Sequence, residues 1–448
     1  MQAPVASLTA DTAPIESRPA HLISLPFLIL RASTAAGAFG MGLVQLLVFS
    51  RVLTPERFSI YIVLGGIGYS LWLCDLGLAK VLFVKLRAAR LAGTTDPRAA
   101  AEASAVVLFY VLLALGGSLV CFAVMAARPS FSLFDAADFA LFFSFVVLNL
   151  AWFTLRSISI SVDEYLFYEK LELVRRVGNI ATMLAMLVGL PFTAFLIGSN
   201  ALWIALLTAA AAKLIRCGAL APRVRGFPHE LVQFFRLNST TIARSSTSAL
   251  SDLFTYMFPY YVVPAAFGLG APVIILELTF RIFRGAAMIY VAACDLAIPG
   301  QTRALAAHDA PRLIRTTLLA AALCAVPAAF ACGLLIFVPQ QLFTFLLRSA
   351  ASVPPPIAHI LVALLLAGLV QTVAQSLLQH TGFFREIARI GIAIAAAMVA
   401  ATIVSILAKF DIVGFLTAYT VVFASGVLYY IVAIVRGPIR AATLGTTA

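Results

Sequence analysis

Residues 271–297 read APVIILELTFRIFRGAAMIYVAACDLA. The stretch is long enough, at about 1.5 Å of rise per residue, to cross a hydrocarbon core of about 30 Å as one helix. It nonetheless carries Glu277, Arg281 and Arg284 at i, i+4 and i+7, on one helical face. A charge at the centre of a bilayer costs about 2.5–3.5 kcal/mol on insertion scales, so such residues persist where protein, a watery cavity or a counter-charge receives them. The stretch therefore reads as a membrane span with one polar face. Similar apolar segments recur at about 24–50, 58–79, 102–126, 138–161, 171–192, 197–215, 237–263, 314–338, 355–379, 387–408 and 412–435. With this one they make twelve spans. The chain is 62% hydrophobic and 11% charged, with a mean hydropathy of +1.03. Soluble domains are about 45–50% apolar and about 25% charged, so a single soluble core is excluded. The fold class is all-α, a polytopic membrane protein.

The same stretch contains the trace of a repeat. Cys294-Asp295-Leu296 matches Cys74-Asp75-Leu76 late in the second span, and Ala271-Pro272 matches Thr54-Pro55 at the first turn. The two offsets are nearly equal, which predicts two pseudo-symmetric six-helix lobes around a central cavity. An even number of spans per lobe gives both the same orientation, related by an axis along the membrane normal. The expected organisation is a disordered cytoplasmic tail (1–23), an N-lobe (24–224), a C-lobe (225–438) and a cytoplasmic C-terminal tail (439–448). Of the 31 basic residues, twenty-two fall in the N-terminal tail, the even-numbered connections and the C-terminal end, against five in the odd-numbered connections. This asymmetry places both termini in the cytoplasm. The six cysteines include no CxxC pair and the five histidines have no metal-ligand spacing. No metal or cofactor is expected.

A second polar span follows the midpoint. In NSTTIARSSTSALSDLFTY (238–256), Thr241, Arg244/Ser245, Ser248, Ser251/Asp252 and Thr255 recur at helical spacing, opposite Ile242, Ala249, Leu250, Leu253 and Phe254. Such a helix either lines a cavity or is buried with its hydroxyls bonded to its own carbonyls. Arg31 in the first span lies at nearly the same distance from its turn as Arg244 does from its own. Glu277 pairs with Arg281 on this reading, leaving Arg284 for Asp252 or a ligand. Gln371, Gln375 and Gln379 share a face of the tenth span and either contact a sugar or bond neighbouring helices. DEYLFYEKLELVRR (163–176) reads as an interfacial lead-in to the fifth span, Arg156 as snorkelling to the surface, and Asp75 as a packing partner.

VFSRVLTPERFSIYIVLGGIGYSLWLCDLGL (48–78) resembles the opening of bacterial polysaccharide transporters. These are the O-antigen and exopolysaccharide flippases of the multidrug/oligosaccharidyl-lipid/polysaccharide exporter superfamily. Arg51, Leu53, Pro55, Glu56 and Asp75-Leu76-Gly77 carry the resemblance, with Thr54 in place of the usual glycine. LELTFRIFRGAAM (276–288), Pro299 and LLQHTGFF (377–384) continue it in the second lobe. It implies an alternating-access transporter of the bacterial inner membrane that carries undecaprenyl-pyrophosphate-linked oligosaccharide from the inner to the outer leaflet. The substrate-binding set is Arg31, Arg244, Arg281, Arg284, Ser248, Gln371 and Gln375, with Asp252 and Glu277 as candidates for ion coupling. Guanidinium suits a diphosphate because it pairs bidentately with phosphate oxygens. The expected partners are the lipid-linked oligosaccharide, membrane lipids, and a polysaccharide polymerase with chain-length proteins. A monomer without nucleic acid is expected. A multidrug exporter of the same superfamily calls for an acidic or aromatic cavity, whereas four arginines face Asp252 and Glu277 here. A membrane-embedded glycosyltransferase or ligase needs a long outer loop or a carboxylate pair at the membrane edge, and no connection is long enough.

Overall fold

In a computed structural model the structure describes residues 25–444, apart from 74–77, 92–93, 95, 223–225, 349–350 and 382. The described residues are helical and contain no strand. The helices are α1 (Leu25–Val52), α2 (Pro55–Leu73), α3 (Leu78–Leu91), α4 (Pro97–Ala126), α5 (Leu133–Val147), α6 (Asn149–Ser161), α7 (Tyr165–Ala185) and α8 (Phe192–Arg216). The second half holds α9 (Phe227–Asp252), α10 (Pro259–Phe267), α11 (Ala271–Asp295), α12 (Ile298–Ala306), α13 (Ala310–Phe337), α14 (Pro339–Leu347), α15 (Pro356–His380), α16 (Phe384–Leu407), α17 (Ile412–Ile434) and α18 (Arg440–Leu444). Among the described residues, 7 helices are long and apolar enough to cross a membrane by length and composition. The chain is a polytopic membrane protein, and its twelve expected spans all overlap helices. Helix starts are written locally. Asp96 accepts hydrogen bonds from the amides of Arg98 and Ala99 ahead of Pro97, and Asp309 and Asp411 cap α13 and α17 in the same manner.

The packing of one half recurs in the other. In the first, α1 packs on α7, α2 on α5, α4 on α5, α5 on α8 and α7 on α8. In the second, α9 packs on α16, α11 on α15, α13 on α15, α15 on α17 and α16 on α17. Between the halves, α11 lies against both α1 and α2. The basic connection expected at 216–236 is shorter than that, because α9 begins at Phe227. Ala442, in the expected C-terminal tail, lies in α18 and is buried in a small cluster with Ala304, Leu313 and Leu377. The tail at 1–23 lies outside the described residues.

Two expectations are corrected. The stretch at 163–176 is no interfacial lead-in: within α7 Tyr168, Glu169, Glu172, Arg175, Arg176 and Asn179 are buried. Their spacing places them on one face, and α7 turns against α1 and α8. In a helix flanked by lipid the polar face is the one that seeks protein. Arg156 does not simply snorkel: it lies 3.8 Å from Glu169, and its Nε is buried with no hydrogen-bond partner. Arg175 and Arg176, two of the twenty-two basic residues assigned above to connections and termini, are buried helix-packing charges instead.

Candidate functional site

The face predicted on α11 forms a single cluster. Glu277 is buried, with 3% of its side chain exposed, and it receives both arginines. Arg281 donates from Nε to Glu277 Oε1 at 2.7 Å and pairs with the same oxygen through Nη2. Arg284 Nη2 donates to Glu277 Oε2 at 3.1 Å. Glu277 therefore serves Arg284 as well as Arg281, a correction to the expected pairing. The partners from other helices were not legible in the spacing. Tyr260 of α10 donates its hydroxyl to Glu277 Oε2, and the same hydroxyl oxygen accepts from Arg284 Nη2 at 2.6 Å. Gln45 of α1 accepts from Arg281 Nη1 at 3.0 Å. The Arg284 guanidinium carbon sits 5.5 Å from the Tyr69 ring of α2 and 5.2 Å from the Tyr260 ring.

Small residues let these groups approach. A Cβ on Gly42 would meet Arg281 Cδ at 2.8 Å, and one on Gly66 would meet Tyr260 Cβ at the same distance. The cluster thus sits where α1 and α2 of the first half meet α10 and α11 of the second. Among the described residues it has one carboxylate for two guanidiniums, an excess of positive charge that is partly exposed: 16% of the Arg281 side chain and 23% of the Arg284 side chain remain accessible.

The other predicted residues divide. Gln371 is buried and donates from Nε2 to the Tyr256 hydroxyl at 3.2 Å, so it braces α15 against the segment after α9. Gln375 is half-buried and Gln379 is exposed. Arg31 lies in α1, and Arg244, Ser248 and Asp252 lie in α9, but their side chains are outside what the structure describes, as is Asp75. Along the two faces proposed for 238–256, Ile242 and Thr255 are both buried while Phe254 is exposed. A cavity of about 240 Å³ lies elsewhere, between α4, α8 and the start of α9, lined by Ala101, Val107, Leu108, Phe227 and Glu230.

Sequence reasoning missed a second buried cluster. Glu172 accepts from Arg175 Nε at 2.8 Å, from Arg176 Nε at 2.7 Å and from Trp152 Nε1 at 2.6 Å. The Arg175 guanidinium lies 4.5 Å from the Trp203 ring, and Glu169 accepts from Thr34 of α1 at 2.9 Å. The spacing of Glu172, Arg175 and Arg176 at i, i+3 and i+4 was the available signal.

No family model matches the sequence, and no curated protein does. Solved structures do match. An inward-facing multidrug resistance MATE family transporter of the MOP superfamily superposes with a TM-score of 0.66 at 13% identity, over 94% of this chain and 99% of that one. An outward-facing transporter of the same kind gives 0.59 at 15%, over 94% and 97%. A MOP superfamily transporter from Pyrococcus furiosus, for which reversed binding-pocket polarity suggests a different function, gives 0.51 at 15%, over 90% and 98%. The helical order, the repeated packing and these superpositions together give the chain the fold of the MATE transporters of the MOP superfamily.

Proposed function

We propose that the chain is an alternating-access transporter of lipid-linked oligosaccharide, carrying an undecaprenyl-pyrophosphate-anchored repeat unit from the inner to the outer leaflet for O-antigen or exopolysaccharide synthesis. The observation that supports this reading is the α10–α11 cluster, in which two guanidiniums share one carboxylate at the seam between the halves. Unpaired positive charge at membrane depth is costly, and an anionic headgroup offsets that cost. The same charge repels organic cations, which a drug exporter must admit. Two lobes, 24–224 and 225–438, rock about this seam, with both termini in the cytoplasm of the bacterial inner membrane. The chain works as a monomer, beside a polymerase and chain-length proteins, and catalyses no covalent step. Arg31, Arg244 and Ser248 complete the headgroup site, and Gln375 faces the sugar. Asp252 or Glu277 couples transport to a proton or sodium ion; amide variants that keep transport and its response to the proton motive force would sink that assignment.

The test is surface polysaccharide in a strain carrying only the variant. Arg281→Ala or Arg284→Ala abolishes it at unchanged protein level. Arg→Lys rescues in part, because an ammonium lacks the bidentate fork. Full polysaccharide in the double alanine variant, joined to efflux of a cationic dye by the wild type, would replace this reading with the multidrug one.

A further inference from the structure

The buried cluster on α7 has the same charge balance as the one on α11: one carboxylate, Glu172, for two guanidiniums. Its two arginines differ in kind. Arg175 is 1% exposed, is bidentate to Glu172 and lies over the faces of Trp152 and Trp203, so it is fully engaged. Arg176 spends Nε on Glu172, and among the described residues its Nη1 donates to the Met41 sulfur of α1 alone, at 3.6 Å. A thioether is a weak acceptor for one of five guanidinium donors. Arg176 also keeps 11% of its side chain accessible.

The location of Arg176 gives this spare capacity a meaning. Met41, which Arg176 touches, and Gln45, which Arg281 touches, are one turn apart on α1. Residues so spaced are neighbours on one side of a helix, about 5–6 Å apart at Cβ. Tyr69 of α2 lies within electrostatic reach of both Arg176 and Arg284. Among the described residues Glu169 of α7 pairs with Arg156 of α6, at 3.8 Å. Among the described residues two excess positive charges, one from each half of the chain, thus meet the same side of α1 one turn apart. An anion with charge at both ends offers a partner to each.

We infer that Arg176 is a second anchor for the transported anion, so that one diphosphate is bridged between Arg176 of the first half and Arg281 and Arg284 of the second. This rests on the transporter reading above and deepens it. A bridging anion favours the state in which the two arginine groups are closest, so binding itself biases the two halves.

The test uses the full chain in nanodiscs of zwitterionic lipid, titrated with inorganic pyrophosphate and, separately, orthophosphate. The wild type binds pyrophosphate more tightly than orthophosphate, and Arg389→Gln, on the exposed part of α16, leaves this preference intact. Arg176→Ala and Arg284→Ala each weaken pyrophosphate by about tenfold or more, the scale of one lost charge-assisted hydrogen bond, and bring it down to orthophosphate. Arg176→Lys keeps a several-fold part of the preference. If Arg176→Ala yields no folded protein, Arg176→Gln carries the same comparison: a lost preference supports the bridge and a retained one overturns it. A preference kept in the Arg176 variants but lost in Arg284→Ala removes Arg176 as an anchor and leaves the flippase reading standing. Failure of the wild type to bind pyrophosphate or a prenyl pyrophosphate overturns both.

Discussion

Glu277 decides whether the α11 arginines are tolerable. It sits with its oxygens shared among Arg281, Arg284 and the Tyr260 hydroxyl. Removing one partner of a buried ion pair costs about 3–5 kcal/mol, because the other charge is left uncompensated. Glu277→Gln leaves two such charges, so a marked fall in thermal unfolding temperature in detergent is expected. Tyr260→Phe keeps the carboxylate and loses one hydroxyl, at about 1–3 kcal/mol. The order of the two losses is the diagnostic: equal stability of both variants would mean that the carboxylate does not hold the cluster. The acidic residue and both arginines were legible because i, i+4 and i+7 share a face. Tyr260, Gln45 and Tyr69 were not, since spacing within one helix says nothing about which neighbours its face meets.

At the scale of a helix, the break between α9 and α10 has an identifiable cause. Pro259 has no backbone N–H to give the Thr255 carbonyl, which an uninterrupted helix would require. The chain passes through a wide π turn at Leu253–Met257, with the Phe258 amide donating to the Leu253 carbonyl at 3.0 Å. The freed Thr255 carbonyl accepts instead from the Tyr419 hydroxyl of α17 at 2.8 Å. Tyr419→Phe therefore removes that buried donor and lowers stability by about 1–3 kcal/mol. Pro259→Ala restores a backbone donor, so the double variant recovers part of that loss in a double-mutant cycle; purely additive losses would break the link. The sequence marked this span as polar, yet the partner that repairs it lies 164 residues away. The α7 cluster was missed for a related reason. Its charges follow the soluble pattern of amphipathicity, and only the packing of α1 and α8 shows that the polar face points inward.

At the scale of the whole chain the open question is which end faces the cytoplasm, and one thiol reads it. Lysine and arginine placement predicts a cytoplasmic connection after α8. Cys217 lies there and is exposed, whereas Cys121, Cys294, Cys324 and Cys332 are buried. In a Cys74→Ala background a membrane-impermeant maleimide should leave intact cells unlabelled and mark Cys217 after permeabilisation. The chemistry of the site supplies an internal check on which thiol reacts. Partial burial pushes the Cys217 thiol up from its ordinary value, and Glu164, whose Oε1 accepts from the thiol at 3.4 Å, pushes in the same direction. The thiolate is the form that attacks maleimide, so a raised pKa means slower labelling near neutrality and a rate that climbs at higher pH than for a free cysteine, whose pKa is about 8.5. Glu164→Gln removes the repelling charge and releases Lys213, which lies 3.1 Å from the carboxylate, to stabilise the thiolate. Labelling of the permeabilised Glu164→Gln protein should accordingly be faster at neutral pH, with its rate profile shifted to lower pH. Labelling of Cys217 in intact cells, carrying this same Glu164-dependent profile, would invert the orientation and with it the inner-to-outer direction assigned to transport.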